Sequence, residues 1–198
     1  MESIFLGLEL GEIDQQKLCY YFEYTLDNDD YFKMAINLIP LNDFIITFLL
    51  SRTSRMSNSN FELFMKQDID FDNVDYFFKM VMWCTPQQMR SYMMKMNNVN
   101  ITNDEGTLLH YLVLYPSDAK EKLEIALELG VDYNITDSEL KTPLYYASID
   151  EARILVKHGA RYNSDKQYSI IECNDDNIVD CNDPYRKEMY NFYKERCE

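Results

Sequence analysis

The feature that most constrains this chain is a stretch that occurs twice at nearly the same spacing. "NVNITNDEGTLLHYL" begins at Asn98, and "DYNITDSELKTPLYY" begins at Asp132. Each contains Asn-Ile-Thr, an acidic turn, a threonine, and a leucine followed by His-Tyr or Tyr-Tyr. The two threonines, Thr107 and Thr142, are 35 residues apart (142 minus 107). A period of roughly 20 to 50 residues is typical of stacked repeat architectures.

Each threonine predicts the start of a helix. The Thr142 hydroxyl can cap a first turn, and Pro143 suits the first helical position because its missing N–H would be unpaired there. A second helix is predicted after each first one, ended by Gly130 or Gly159 in a left-handed conformation. Its apolar positions recur at i, i+3 and i+4: Leu123, Ala126, Leu127 and Ala152, Leu155, Val156. One helix pair cannot bury its own apolar face, so the pairs are predicted to stack.

These units resemble the ankyrin repeat. The matching residues are "TPLYYA" at 142–147 with "ILVKHGARYN" at 154–163, and "GTLLHYL" at 106–112 with "ALELGVDYN" at 126–134. In that family the threonine and histidine tie a helix start to its neighbour; here only the first unit keeps a histidine, His110, and the second has Tyr145. The second unit is also shorter, so we expect a shortened first helix or link in it.

The resemblance implies an all-α fold, an ankyrin-repeat solenoid with divergent N-terminal helical units and a C-terminal capping helix. Residues 98–163 hold the two recognisable repeats, and residues 164–198 are expected to be an acidic linker and the capping helix. Five glycines and five prolines are few, which favours helices over sheets. In residues 1–97, divergent helices or degenerate ankyrin units are predicted at 15–26, 29–39, 41–53, 59–67, 73–84 and 85–96.

Large apolar side chains are dense in residues 1–97, and a core is the simplest reading of them. They are Phe22, Phe44, Phe48, Phe61, Phe64, Phe77, Phe78 and Trp83, with Met80, Met82, Met89, Met93, Met94 and Met96. A partly exposed aromatic or methionine groove for a partner is the alternative, because methionine serves both adaptable cores and binding faces.

The net charge of −15 argues against binding to nucleic acid or anionic membranes, because it repels phosphate. A basic protein partner fits this charge, and so does simple solubility. No membrane span is predicted, since "FIITFLLS" is far shorter than the roughly 20 residues required. The N-terminus resembles no signal peptide, and five cysteines without CxxC spacing suit a reducing compartment. We therefore expect a cytoplasmic protein.

No catalytic pattern stands out. His110 occupies a repeat position, and His158 precedes the glycine that ends a helix. No Ser-His-Asp or Cys-His arrangement has local support, and neither GxGxxG nor GxxxxGK occurs. The prediction is a non-enzyme with no cofactor and no metal site.

In the ankyrin pattern, partner contacts come from the variable tips and the ends of the inner helices. The resemblance therefore implies a contact surface made of Asp104, Glu105, Ser138, Glu139 and Lys141 at the tips, with Leu114, Tyr115, Ile149 and Asp150 at inner-helix ends. Each of these residues could equally be ordinary solvated surface.

Heavy use of Asn, Asp, Ile, Tyr and Lys, together with the Tyr-Tyr variant, is similar to the ankyrin proteins of poxviruses. That resemblance implies a host-range or immune-evasion factor in the host cytoplasm, bound to an innate-immune, NF-kappaB or cell-death signalling protein. Many such proteins recruit a host ubiquitin ligase through a C-terminal F-box-like segment. None is evident by Glu198, so recruitment would require a longer natural chain, and simple sequestration is the other mechanism.

Two other classes remain open on sequence grounds. The chain could be an ankyrin effector of an intracellular bacterium or a scaffold of a protist. An enzyme hidden in residues 1–97 is the third possibility, but it would need convergent polar groups that the sequence does not offer.

Overall fold

The computed structural model describes residues 15–103, 106–115 and 119–160. These residues are mostly helical, with one short two-stranded ribbon, so the all-α class is confirmed. The chain divides into two compact units, unit 1 at residues 1–97 and unit 2 at residues 98–198. Within the described ranges, no helix is long and apolar enough to cross a bilayer. The predicted linker and capping helix at 164–198 lie outside those ranges.

The described part of unit 1 contains all six predicted helices. They are α1 (Gln15–Glu23), α2 (Asp29–Leu38), α3 (Asp43–Leu50), α4 (Asn58–Phe64), α5 (Val74–Trp83) and α6 (Pro86–Met93), with a short 3-10 turn at Thr53–Arg55 between α3 and α4. Five of them begin at a polar side chain that accepts a hydrogen bond from the backbone N–H three residues later: Asn28, Asn42, Ser57, Asn73 and Thr85. These caps explain why the helices start where they do.

The helices of unit 1 pack as hairpins side by side. Helix α1 packs against α3, α3 packs against α5, and α2 packs against α4, so alternate helices are neighbours. Within a hairpin, the Phe22 and Phe32 rings join α1 to α2, and the Phe77 and Tyr92 rings join α5 to α6, each pair with centroids 5.9 Å apart. Every hairpin thereby covers the apolar side of the next one.

A buried amide recurs at the same place in two of these hairpins. The Asn60 Nδ2 donates to the Leu26 carbonyl at 2.9 Å, and the Gln88 Nε2 donates to the Thr53 carbonyl at 2.8 Å. In the turns that hold those carbonyls, the Thr25 and Thr53 hydroxyls each donate to the carbonyl three residues earlier. Both the threonines (25 to 53) and the amides (60 to 88) are 28 residues apart. These contacts therefore recur at one spacing in the two hairpins, although Gln88 bonds the threonine carbonyl and Asn60 mainly the carbonyl one residue later.

Unit 2 contains a ribbon and two helix hairpins. Its described elements are β1 (Thr102–Asn103), β2 (Gly106–Thr107), α7 (Leu108–Leu114), α8 (Ala119–Glu128), α9 (Pro143–Tyr146) and α10 (Ile149–Lys157). Helix α7 packs against α8 and α9, and α10 packs against α8 and α9, so the hairpins lie side by side. Gly130 and Gly159 follow α8 and α10 with positive φ, as predicted.

The two hairpins of unit 2 differ in length. Helix α9 has only four residues whereas α7 has seven, and two residues instead of four link it to the next helix, so both changes shorten the second unit. Pro143 stands in the first turn of α9 as expected, but the predicted cap is wrong, because the Thr142 side chain makes no capping hydrogen bond.

The prediction of a core holds for part of the aromatic set. The buried members are Phe22, Phe61, Phe64, Phe77 and Phe78, with Met80, Met89 and Met93. It is wrong for Phe44, Trp83 and Met82, which are 48–49% exposed, and for Met94, which is 71% exposed. On their helices, Phe44, Met82 and Trp83 lie on the side opposite the buried stripe, so packing between hairpins leaves them uncovered.

Replacing Asn60 with alanine should destabilise the fold. The substitution removes the Asn60 donor from the Leu26 carbonyl, which keeps only its bond from the Ser57 N–H, so we expect a loss of about 1 kcal/mol in the free energy of unfolding. Urea denaturation followed by circular dichroism measures this loss. Asn58→Ala on the exposed side of the same helix is the matched control, and it should cost much less. Equal losses for the two variants would show that the buried amide has no special role.

Candidate functional site

The first tip of unit 2 is the β1–β2 ribbon. Thr102 lies opposite Thr107, and Asn103 lies opposite Gly106, in antiparallel register. Gly106 has φ +112°, and a Cβ at this position would lie 2.8 Å from the His110 Nδ1. The ribbon therefore needs glycine at this position, both for its backbone conformation and for the close approach of the imidazole.

His110 ties the first tip to the second. Its ring is fully buried, its Nδ1 lies 3.1 Å from the Thr107 backbone nitrogen, and its Nε2 lies 2.9 Å from the Lys141 carbonyl oxygen. The Thr107 N–H can only donate and the carbonyl can only accept, so we assign the proton to Nε2. Burial lowers the pKa of His110 from its usual value, although the bond to the Lys141 carbonyl opposes that shift. The imidazole must therefore be neutral, because a protonated Nδ1 could not accept the bond from the Thr107 N–H.

The second tip is organised by one carboxylate. The Asp137 Oδ1 accepts from the N–H groups of Glu139 at 2.8 Å and Lys141 at 3.0 Å, and its Oδ2 accepts from the Tyr146 hydroxyl at 2.7 Å. Burial favours the protonated form, but these hydrogen bonds outweigh it and hold the pKa of Asp137 below its usual value. The turn is therefore fixed by a charged group on its inner side.

Leu140 is held at this tip in a costly conformation. Its φ is +62°, in the left-handed region, and its N–H donates to the Asp137 carbonyl at 3.1 Å. A non-glycine residue pays about 1–2 kcal/mol there. The Leu140 side chain is nevertheless 60% exposed, so it gains little from burial. The turn therefore presents a mostly exposed apolar side chain, whose burial contributes little to the stability of the fold.

Lys141 is positioned beside Leu140 by two contacts. Its ammonium group lies 2.5 Å from the Glu139 carboxylate, which raises the pKa of Lys141, and 4.3 Å from the centroid of the Tyr145 ring. Tyr145 occupies the position where the first unit has His110. In place of a tie between tips, this position supplies a cation–π contact.

A shallow groove with a volume of about 460 Å³ lies between the tips. Five of its six lining residues carry a polar side chain, namely Thr102, Asn103, Thr136, Asp137 and Ser138, and Gly106 is the sixth. Such a lining suits hydrogen bonds to a protein segment better than the enclosure of an apolar small molecule.

The structure brings together only some of the predicted contact residues. Ser138, Glu139 and Lys141 share the second tip, where Ser138 and Glu139 are exposed and Lys141 is half-buried. Leu114 and Tyr115, which are 44% and 48% exposed, lie at the opposite end of α7, roughly 10 Å from the ribbon at 1.5 Å per residue. Asp104 and Glu105 lie outside the described residues.

Two of the predicted contact residues are misplaced. Ile149 and Asp150 do not end an inner helix, because α9 stops at Tyr146 and both residues belong to the first turn of α10. Ile149 is only 8% exposed and is therefore part of the core. The Asp150 carboxylate lies 2.5 Å from the Lys120 ammonium on α8, away from the tips.

Sequence reasoning missed Asp137, Leu140 and Tyr146. An aspartate followed closely by polar residues is a recognised turn former, so the role of Asp137 had a signal in the sequence. The left-handed Leu140 had none, because leucine normally avoids that conformation.

No protein-family model, no curated protein and no solved structure matches the chain. In the part of the chain that the structure describes, no cluster of three or more histidine, cysteine or carboxylate side chains could hold a metal ion.

Replacing Gly106 with alanine should be much more damaging than the same change at Gly130. Both glycines have positive φ, but a Cβ at Gly130 meets nothing within 4 Å, whereas one at Gly106 displaces His110. We expect a loss of about 1 kcal/mol for Gly130→Ala and about 3 kcal/mol for Gly106→Ala. Thermal or urea denaturation of both variants checks this, and similar losses would contradict the tight fit around His110.

The stability of the fold should fall below about pH 6.5. The unfolded chain protonates His110 near that pH, whereas the folded chain resists protonation because its pKa is lowered. The stability is therefore fully present above pH 6.5 and declines as the pH drops below it. Urea midpoints at pH 7.5 and 5.5 measure the decline, and His110→Gln, which cannot titrate, should show a smaller one. An equal decline in both proteins would rule out His110 as its source.

Proposed function

We propose that this chain is a protein-interaction module of the ankyrin-repeat type that acts by binding rather than by catalysis. The side-by-side hairpins of unit 2 support this, as do its glycine-ended second helices and the His110 tie at a helix start. The recurring buried amides of unit 1 support a repeat arrangement there as well. The tips of unit 2 are the proposed contact surface, centred on Ser138, Glu139, Leu140 and Lys141.

The main support for the proposal is the conformation and exposure of Leu140. An exposed leucine in a left-handed conformation costs conformational energy and buries little apolar surface. Strained residues of this kind cluster at functional sites, where another interaction compensates for the strain. An apolar side chain flanked by the charges of Glu139 and Lys141 is suited to insertion into a pocket on a partner protein.

The proposed biological role is that of a poxvirus-type host-range or immune-evasion factor in the host cytoplasm. Its partner would be an innate-immune, NF-kappaB or cell-death signalling protein, which the chain sequesters. Delivery to a host ubiquitin ligase is the variant that needs an F-box-like segment. An ankyrin effector of an intracellular bacterium or protist would present the same tips, and genome context separates these origins.

Capture of partners from transfected mammalian cells tests this proposal. The tagged full chain is compared with Glu139→Lys, which reverses a charge at the tip, and with Glu124→Lys, which makes the same reversal on the exposed side of α8. Quantitative mass spectrometry should show partners that are lost with Glu139→Lys and kept with Glu124→Lys. Equal recovery in all three samples would show that the tip is not the contact surface.

Replacing Leu140 with glycine should separate binding from stability. Glycine removes the left-handed strain but is more flexible when unfolded, so the free energy of unfolding should stay within about 1 kcal/mol of the parent. Binding of the captured partner, measured by calorimetry, should weaken at least tenfold because the exposed apolar side chain is gone. Leu140→Asn, which tolerates the same φ, should behave alike. Full binding by both variants would contradict a role for Leu140.

A further inference from the structure

Three helices of unit 1 each expose a stripe of residues at helical spacing. Helix α1 exposes Tyr20 and Tyr24, α3 exposes Phe44 with the half-buried Phe48, and α5 exposes Lys79, Met82 and Trp83. The two tyrosines are about 65% exposed, and Phe44, Met82 and Trp83 are close to half exposed. Single exposed apolar residues are ordinary, but large ones on three adjacent helices form a patch that is unusual for a free surface.

The three stripes face the same side of unit 1. Helix α3 packs between α1 and α5, so the three form one layer. In α1 the tyrosines lie roughly opposite Phe22, whose ring contacts α2, and in α5 Met82 and Trp83 lie roughly opposite Phe77, whose ring contacts α6. The stripes of α1 and α5 therefore point away from the second layer, and Phe44 on α3 lies opposite the buried side of its own helix. We call the surface made by Tyr20, Tyr24, Phe44, Phe48, Met82 and Trp83 the aromatic face.

Polar contacts hold the aromatic face together. The Tyr20 hydroxyl donates to the Tyr24 hydroxyl at 3.0 Å, with the two rings 4.6 Å apart. The Arg52 guanidinium lies 5.1 Å from the centroid of the Phe48 ring and bonds to Glu23 on α1 at 3.1 Å. Between the other two helices, the Tyr76 hydroxyl donates to the Asp43 carboxylate at 2.7 Å. The face is thus pre-arranged, which lowers the entropic cost of binding.

The charge of this face differs from that of the whole chain. Its three helices and residues 52–55 carry four cationic side chains and three carboxylates: Lys17, Arg52, Arg55 and Lys79, with Glu23, Asp43 and Asp75. One of these carboxylates, Glu23, is shared by Arg52 and Arg55. The sum is +1 on a chain whose net charge is −15. An acidic partner would therefore meet less electrostatic repulsion at this face than at the rest of the surface.

We propose that the aromatic face binds an acidic amphipathic segment of a partner protein. Apolar side chains of the segment would pack on the tyrosines, Phe44 and Trp83, and its carboxylates would meet Arg52, Arg55 and Lys79. Aromatic residues and arginine dominate the energetics of such interfaces, and complementary charge selects among partners. This surface belongs to unit 1 and the proposed contact tips belong to unit 2, and the proposal rests on the proposed role only in that both assume a binding protein.

Panning of a random peptide library tests the proposal. A displayed library of 12-residue peptides is selected on the full chain at moderate salt, and the enriched peptides are synthesised. We expect peptides with apolar residues at i, i+3 and i+4 interspersed with Asp and Glu. Because Trp83 is the sole tryptophan, its fluorescence reports directly on contact with the face. Binding should shift its emission to shorter wavelength.

Charge reversals locate the binding surface. Lys79→Glu should lower the affinity for the peptides at least tenfold. Lys33→Glu, the same reversal on the exposed side of α2, should leave the affinity within about twofold of that of the parent protein. Arg52→Glu is a second variant, with circular dichroism to confirm folding because Arg52 also bonds Glu23. Leu140→Gly should not affect these peptides, so failure of the tip proposal and failure of this one are distinguishable.

Several outcomes would overturn the proposal. It fails if the enriched peptides are basic or if none is enriched. It also fails if peptide binding leaves Trp83 emission unchanged, or if Lys79→Glu leaves the peptide affinity unchanged. A shift of Trp83 emission by a 20-residue oligothymidine would assign the face to single-stranded nucleic acid. Self-association abolished by Lys79→Glu in sedimentation velocity would assign it to a second copy. Saturation of the face by a synthetic peptide of residues 164–183 would assign it to the chain itself.

Discussion

The structure depends on buried side chains that donate a hydrogen bond to the carbonyl of a distant turn. Asn60, Gln88 and His110 all do this, reaching the carbonyls of Leu26, Thr53 and Lys141. A helix hairpin with one apolar side could slide along its neighbour at little cost to hydrophobic contact, since that interaction has no direction. A buried polar tie removes this freedom, because any shift would leave the buried side-chain donor without its acceptor. The ties fix the register, and the apolar residues then supply most of the stability.

This division of roles explains how helix hairpins with little sequence similarity to one another can pack in the same way. Apolar positions tolerate exchange among Phe, Leu, Ile and Met as long as volume is kept, so they drift readily. Hydrogen-bonding positions can also drift, provided the donor survives. Asn60 and Gln88 differ in length, yet each donates from the third residue of its helix to a carbonyl of a preceding turn. The ring of His110 does equivalent work in unit 2.

Most helices could be predicted from sequence because their signals are local. Asn28, Ser57 and Thr85 indicate where helices start, and Gly130 indicates where α8 ends. The repeat in residues 98–163 predicted hairpins that lie side by side, and unit 2 has them. The exposure of Phe44 and Trp83 could not be predicted, because helical spacing shows which side a residue occupies but not which side the next hairpin covers. Ile149 was misassigned although a local signal was present, because Ser148 and Glu151 form a capping box that marks the start of α10.

The brevity of α9 has a consequence for how unit 2 moves. A helix of four residues completes a single turn, and an isolated turn does not repay the entropy of its own formation. Its helical shape is therefore supplied by α7 and α10, against which it packs. The segment that carries Asp137 and Leu140 leads directly into this turn, so the second tip and α9 should open together at lower free energy than α8 or α10. Backbone amides of residues 144–146 would then exchange with solvent deuterium early, and the tip could reshape itself around a ligand while the longer helices stay folded.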